Sequence, residues 1–173
     1  MRKYIKRIKS PIIKYNPIYR NDSGAFTKDE WIGYSDIGKT FNGKVLTKKE
    51  YEIIEGLYIK AVFIAMDYFG SKKLKISHIY KLSNIKKAKL FGDLELFKEL
   101  KEFNIGDLIS DKEKIRLLLK LKLRDYLGEL ELVIDSKSRS EILFGFDYYM
   151  YLNTNKDVTS LLKQISSTGL FAY

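Results

Sequence analysis

Apolar residues recur at two different periods along this 173-residue chain, and each period predicts a different kind of element. Steps of three and four predict a long helix between Thr47 and Gly70, because Thr47 and Glu50 form a capping box and Gly70 provides a left-handed stop. Weaker patterns of the same period predict three shorter helices. These helices lie at about 93–103, 110–128 and 156–166.

Strict alternation replaces the helical period near the end of the chain. Even-numbered positions are apolar over 130–134 and again over 142–152, which is typical of two strands that share one buried face. The polar span 135–141 joins these strands as a hairpin. We therefore expect a late antiparallel pair whose odd-numbered side chains face away from the core.

The segment before the first helix has a different character, because turn-forming residues are frequent over 11–46. It predicts one short strand at about 12–15, followed by an irregular loop held in place by aromatic side chains. Long loops inside small domains are unusual, and those that persist often carry function. The stretch 74–90 has no clear period and yields no firm prediction.

The order of these elements predicts an α+β fold that is dominated by helices, with a small, mostly antiparallel sheet that includes the late hairpin. The length suits a single domain over residues 11–173, preceded by a basic tail over residues 1–10. Hydrophobic residues make up 45% of the chain, which is enough to build a core for a domain of this size.

Composition excludes several kinds of chemistry. The chain has no cysteine and one histidine, His78, so disulfides, thiolate metal sites and cysteine nucleophiles are ruled out. We expect no metal, no cofactor and no enzymatic activity. No apolar run reaches the length of a membrane span, and the first residues lack the apolar middle of a secretory signal. The expectation is a cytoplasmic protein without membrane contact.

The net charge of +10 suggests an anionic partner, but its distribution weakens that inference. The first 14 residues hold six basic side chains and no acid, whereas acids and bases alternate over much of the remaining chain. Such alternation is typical of solvated surfaces rather than of a groove that follows phosphates. A small nucleic-acid-binding protein that acts through its tail is therefore an alternative and not the preferred interpretation.

Residues Gly33 to Thr40 match G-x-x-x-x-G-K-[ST], the phosphate-binding loop of nucleotide-binding proteins. In such a site Lys39 would contact the phosphates and Thr40 would hold a metal ion. The loop works only between an apolar strand and a helix that starts at the Lys-Thr pair. The stretch before this match, Thr27-Lys-Asp-Glu-Trp-Ile32, is not an apolar strand, and the turn Asn42-Gly43 follows the match, so a nucleotide-binding protein is kept only as an alternative.

Large amphipathic side chains are abundant, with thirteen tyrosines and one tryptophan concentrated in the early loop and the late strand. Such residues suit protein interfaces, because they bury much area at a small cost in rotamer entropy. The odd-numbered face of the late strand is either covered by the loop or left for a partner. The candidate partner-binding residues are Tyr19, Trp31, Tyr34, Asp36, Asp147, Tyr149 and Tyr151.

A series of motifs occurs in a fixed order along the chain. They are Tyr15-Asn-Pro-Ile-Tyr19-Arg, Asp29-Glu-Trp31 with Ser35-Asp-Ile-Gly-Lys39, Leu46-Thr47 leading into Glu50-Tyr51, and Phe144-Gly-Phe-Asp-Tyr-Tyr-Met-Tyr151. In order and spacing this series resembles a family of bacterial immunity proteins from contact-dependent growth inhibition systems. The resemblance runs from about 12 to 152 and is strongest at its two ends.

The resemblance implies a cytoplasmic antidote that binds the C-terminal toxin domain of a large cell-surface protein, often a nuclease. Such an antidote blocks the toxin's active site or a nearby exosite. Antidotes to nucleases are commonly acidic, because they compete with an anionic substrate for a basic cleft. This chain is basic, so we expect either an acidic contact surface on the toxin or steric occlusion with local charge pairing.

Overall fold

The computed structural model describes residues 8–173, and most of the predicted basic tail lies outside this range. The strands are β1 (Ile8–Ile13), β2 (Thr40–Phe41), β3 (Lys44–Val45), β4 (Leu74–Lys81), β5 (Leu108–Ile109), β6 (Leu127–Asp135), β7 (Ser140–Phe144), β8 (Met150–Thr154) and β9 (Phe171–Ala172). The helices are α1 (Lys48–Tyr68), α2 (Ile85–Phe91), α3 (Leu94–Lys98), α4 (Lys112–Leu123) and α5 (Thr159–Ser166). Short 3-10 helices occupy Pro17–Tyr19, Tyr34–Asp36 and Glu99–Glu102.

A seven-stranded antiparallel sheet forms the centre of the described fold, in the spatial order β5-β4-β6-β7-β8-β1-β9. Strands β2 and β3 form a separate small hairpin. The prediction of a helix-dominated domain with a small sheet is therefore wrong. The elements still follow an α+β arrangement, but helices and an extensive sheet contribute together to one core.

Two features of the strands explain why the sheet was underestimated. In β4 the register shifts between Ile76 and His78, and this bulge breaks the alternation that marks a strand in sequence. The segment predicted as one strand over 142–152 is in fact two strands, β7 and β8, because Phe144 pairs with Met150 and the same parity continues across the turn. Strands β5 and β9 have two residues each, too few to show any period.

The first strand begins earlier than predicted. Strand β1 starts at Ile8 and pairs with β8, and Ser10 is buried within the sheet. Residues 8–10 of the predicted tail therefore belong to the domain. Proline at position 11 obscures this strand in the sequence, because proline has no backbone N–H for a sheet ladder.

The helices form where the sequence predicts them, but several are shorter than predicted. The Thr47 hydroxyl accepts from the Glu50 backbone N–H, and the Glu50 carboxylate accepts from that of Thr47, so the predicted capping box of α1 is confirmed. Helix α4 begins at Lys112 after an Asp111 cap and ends at Leu123, so the predicted end at 128 is wrong and Leu127 already belongs to β6. Helix α5 begins at Thr159, three residues later than predicted. The helix predicted over 93–103 is divided into α3 and a 3-10 turn. The stretch 74–90 holds β4 and most of α2.

The predicted alternation in the late strands is confirmed from Leu130 onward, because the even-numbered residues of β6 from that point and those of β7 and β8 are buried. The apolar ones belong to one cluster with side chains from α1, α4 and α5, whereas the hydroxyls of Ser140 and Thr154 hydrogen-bond to each other. The odd-numbered residues, which include Tyr151, lie on the opposite face and remain partly exposed. Over the described residues, none of the helices combines the length and apolar character that crossing a membrane requires.

Candidate functional site

The two regions rich in aromatic residues, far apart in sequence, meet at one end of the sheet. We call residues 14–46 the early segment. Its Arg20 donates a hydrogen bond from Nη2 to the Tyr149 hydroxyl over 3.0 Å. Its Trp31 packs edge-on against Tyr148, with 5.3 Å between the ring centroids. The early segment therefore lies directly against the turn that joins β7 to β8.

That turn has an unusual backbone. Asp147 and Tyr148 both have positive φ angles, 54° and 60°, which place them in the left-handed region. The N–H of Tyr149 donates to the carbonyl of Phe146 over 3.0 Å, and the N–H of Gly145 donates to the carbonyl of Tyr149 over 2.7 Å. Two consecutive left-handed residues suit the twist of a hairpin, but for non-glycine residues they carry a conformational cost.

Buried contacts of Tyr148 hold the turn in this conformation. The Tyr148 hydroxyl donates to the carbonyl of Leu123 over 3.1 Å. The Tyr58 hydroxyl donates to the carbonyl of Tyr148 over 2.5 Å. The ring of Tyr148 also packs edge-on against those of Tyr51 and Tyr58. Because Tyr148 is anchored in the core, its neighbours Phe146 and Asp147 are placed at the surface.

Phe146 is the most exposed aromatic side chain near this turn, at 80% exposure, and sequence reasoning missed it. Its even number predicts burial, but the left-handed turn interrupts the alternation at this position. Ile32 of the early segment, 53% exposed, lines a cavity of about 380 Å³ together with Phe146. We define the hairpin-tip surface as the exposed or half-exposed residues around this turn: Tyr19, Ile32, Phe146, Asp147 and Tyr149.

Lys122 of α4 also lines this cavity and is almost fully buried. Its ammonium donates to the carbonyl of Gly128 over 2.9 Å, and burial lowers its pKa below the ordinary value. The remaining walls include apolar side chains such as Leu82, Leu127 and Phe144. A cavity with this lining suits apolar contact more than the recognition of a highly charged phosphate.

Four of the predicted contact residues lie at or beside the hairpin-tip surface. Tyr19 is 40% exposed, and Asp147 is exposed at the turn. Tyr149 and Tyr151 are half-buried and stacked, with ring centroids 6.0 Å apart. The ammonium of Lys9 lies 3.9 Å from the Tyr151 ring centroid. These four residues occupy positions that a partner could contact.

The other three predicted residues have structural contacts. Tyr34 is fully buried, and its hydroxyl donates to Asp93 over 2.6 Å. Asp36 is 8% exposed and accepts from the backbone N–H groups of Ile32 and Gly33. Trp31 is half-buried against Tyr51 and Tyr148. Tyr34 and Asp36 therefore stabilise the early segment and are too buried to serve as contact residues for a partner. Trp31 exposes only part of its ring.

A buried ion network anchors the same segment to the helices. Arg124 donates from Nε to Glu55 over 2.8 Å and from Nη1 to Asp93 over 2.7 Å. Asp93 also accepts from the hydroxyls of Tyr34 and Tyr126. The arrangement satisfies each charge with several hydrogen bonds, as buried charges require.

The segment that matches a phosphate-binding loop lacks the geometry of one. Thr40 begins strand β2, which pairs with β3, and the next helix starts only at Lys48. The Lys39 ammonium forms an ion pair with Asp36 over 2.7 Å. The N–H of Gly38 donates to the carbonyl of Leu46 over 2.9 Å. No helix start follows Thr40 directly, so backbone N–H groups do not converge on a phosphate position.

Among residues 8–173, no three side chains of the metal-ligating types come together in a cluster. No family model, curated protein or solved structure matches the chain.

Proposed function

We propose that this chain is a cytoplasmic immunity protein that binds the toxin domain of a contact-dependent growth inhibition system and blocks it without performing chemistry. The observation that carries the proposal is the exposure of Phe146 on a turn that Tyr148 fixes to the core. Partner surfaces often gain affinity from aromatic anchors of this kind.

The anchoring of the hairpin-tip turn to the core and to the early segment supports a binding role. Its turn is held by hydrogen bonds to Leu123 and from Tyr58, and Arg20 connects it to the early segment. A preformed surface loses little conformational entropy when it binds, so more of the contact energy becomes affinity. Clustered apolar exposure also marks interaction sites on otherwise polar surfaces.

The hairpin-tip surface and its surroundings carry charges of both signs, so they can pair with both acidic and basic side chains of a toxin. Such a surface does not resemble the uniformly negative charge of a nucleic acid. Asp147 contributes a carboxylate at the turn, while Lys28 and Arg20 contribute cations nearby. Lys28 already pairs with Glu30 over 3.0 Å. A mixed surface of this kind favours occlusion of a nuclease toxin by steric contact with a few complementary pairs.

The proposal is tested by co-expression with the C-terminal domain of a large surface protein encoded beside this gene. We expect growth to be restored and the two chains to purify together as a stable complex. A toxin domain from an unrelated system, expressed in the same way, should neither be neutralised nor co-purify. Continued growth arrest, with both chains folded and no complex, would contradict the proposal.

A further inference from the structure

The cavity of about 380 Å³ at the β7–β8 turn, which we call the tip cavity, joins buried and exposed apolar side chains. Two of its apolar residues, Ile32 and Phe146, are 53% and 80% exposed. Others belong to the core, among them Leu123, Leu127 and Phe144. The volume lies in the range of pockets that enclose a small ligand or a side chain. A partner that fills this cavity would therefore remove apolar surface from water.

Three acidic residues line the tip cavity, and they differ in whether their charge is compensated. Asp36 pairs with Lys39 over 2.7 Å, and Asp125 pairs with Lys87 over 3.1 Å. Asp147 is exposed, and its carboxylate forms no hydrogen bond or ion pair with another of residues 8–173. A partner that approaches the cavity therefore meets one uncompensated negative charge.

The buried ammonium of Lys122 does not require an anionic ligand. It donates to the carbonyls of Leu127 over 3.4 Å and of Gly128 over 2.9 Å, so it has acceptors within the fold. The nearby charges of Asp125 and Glu129 also stabilise its protonated form. A carboxylate ligand in the cavity would in addition meet the like charge of Asp147. An uncharged apolar group is therefore the better occupant.

We propose that the tip cavity receives a large apolar side chain of the toxin domain, and that an adjacent lysine or arginine of the toxin pairs with Asp147. This inference rests on the proposed function. The apolar side chain packs against Ile32 and Phe146, as an anchor residue does in a protein interface. The cation compensates the charge of Asp147. A basic contact segment on the toxin is thus compatible with an antidote of net charge +10, because the uncompensated charge at the contact is negative.

The substitution Ser35→Trp tests whether the cavity must be open. Ser35 lines the cavity and is exposed, and its hydroxyl forms no hydrogen bond with another of residues 8–173. An indole at this position can cover the cavity without removing a contact of the fold. We expect an unchanged urea midpoint and at least tenfold weaker binding of the toxin domain. Ser160→Trp is the matched control, because Ser160 is exposed on α5 and does not line the cavity. Equal binding by the two variants would overturn the proposal.

A second measurement uses the full chain without the toxin domain. The methyl resonances of Ile32 and Leu82, which both line the cavity, are followed by NMR while N-acetyl-phenylalanyl-arginine amide is added. We expect saturable shifts at millimolar concentration. One analogue replaces arginine by glutamate and another replaces phenylalanine by alanine, and both should bind at least threefold more weakly.

Asp147→Asn tests the charge in the same titration. Asparagine tolerates the positive φ angle of 54° at this position, so the turn should keep its conformation and the urea midpoint should not change. The variant should bind the phenylalanyl-arginine compound severalfold more weakly, as expected for the loss of one exposed ion pair. Unchanged affinity would show that Asp147 does not select a basic neighbour.

The two measurements distinguish this inference from the proposed function. If the toxin domain binds but the phenylalanyl-arginine compound gives no saturable shift, or all three compounds bind equally, the inference is wrong and the proposed function stands. If the compound binds as expected but no complex with the toxin domain forms, the cavity has the predicted chemistry and the toxin is not its partner.

Discussion

Arg20 donates a hydrogen bond to the Tyr149 hydroxyl over 3.0 Å, although 129 positions separate the two residues in sequence. This contact connects the early segment to the β7–β8 turn. The guanidinium also packs on Phe26, and Tyr149 stacks with Tyr151. The aromatic residues of the early segment and of the β7–β8 turn therefore form one continuous surface. The proposed binding role depends on this surface.

Removing the acceptor of this hydrogen bond should loosen the early segment. We expect Tyr149→Phe to lower the free energy of unfolding by about 1–2 kcal/mol, because the bond involves a charged donor that is partly buried. Tyr151→Phe is the control, because the Tyr151 hydroxyl forms no hydrogen bond with another of residues 8–173. Urea denaturation of both variants measures the difference, and identical midpoints would show that the contact contributes nothing.

The buried network around Arg124 should be far more sensitive to substitution. Arg124→Leu leaves Glu55, which is 2% exposed, without its cation, so we expect a loss of about 3–5 kcal/mol. Arg116→Leu removes a solvent-exposed pair with Glu113 and should cost about 1 kcal/mol or less. Chemical denaturation measures both losses. Equal losses for the two variants would contradict the role assigned to the network.

Stability should fall in acid partly because of Asp93. Burial alone raises the pKa of this carboxyl, but the hydrogen bond from Tyr34 and the charge of Arg124 outweigh it and hold the pKa below 3.8. The folded state thus binds the proton more weakly than the unfolded state. This contribution is fully present above pH 3.8 and is lost as the pH falls through the lower folded pKa.

Asp93→Asn removes this titration. We expect the variant to be less stable at pH 7 and to lose less further stability between pH 5 and 2.5 than the unsubstituted chain. Urea midpoints measured across this range provide the comparison. Parallel curves for the two proteins would show that Asp93 does not contribute to the acid dependence.

The phosphate-loop match in the sequence should have no nucleotide-binding activity. Because Lys39 pairs with Asp36 and Thr40 lies in a strand, titration of ATP or GTP with Mg²⁺ should release no heat of specific binding. Lys39→Ala serves as the control for any weak signal. Binding that this substitution abolishes would support the alternative of a nucleotide-binding protein.

Local signals in the sequence predicted the elements that depend on local chemistry. The capping box at Thr47 and the buried even-numbered positions of the late strands are examples. The extent of the sheet was not predictable in this way, because the bulge after Ile76 shifts the phase of β4. Strand β1 is positioned by its pairing with β8, which lies about 140 residues later in the sequence. No local sequence pattern reveals such a distant contact.

In the candidate site, too, local patterns predicted some features and distant contacts determined the others. Sequence reasoning selected Asp147, Tyr149 and Tyr151 from the odd-numbered face, and the structure leaves all three accessible in part. It could not distinguish the buried Tyr34 from an exposed tyrosine, because Asp93, which accepts the hydrogen bond of its hydroxyl, lies 59 positions away. Tertiary contacts, and not composition, decide which aromatic side chains remain available.

The most direct test of the account measures the affinity of the toxin domain for Phe146→Ala and for Ile105→Ala by calorimetry. Ile105 is a matched control, because it is 62% exposed and precedes β5 at the far edge of the sheet. Both variants should unfold at the same urea concentration as the unsubstituted chain. We predict that Phe146→Ala weakens binding by at least tenfold while Ile105→Ala binds normally. Equal binding by both variants would contradict the claim that the hairpin-tip surface contacts the toxin.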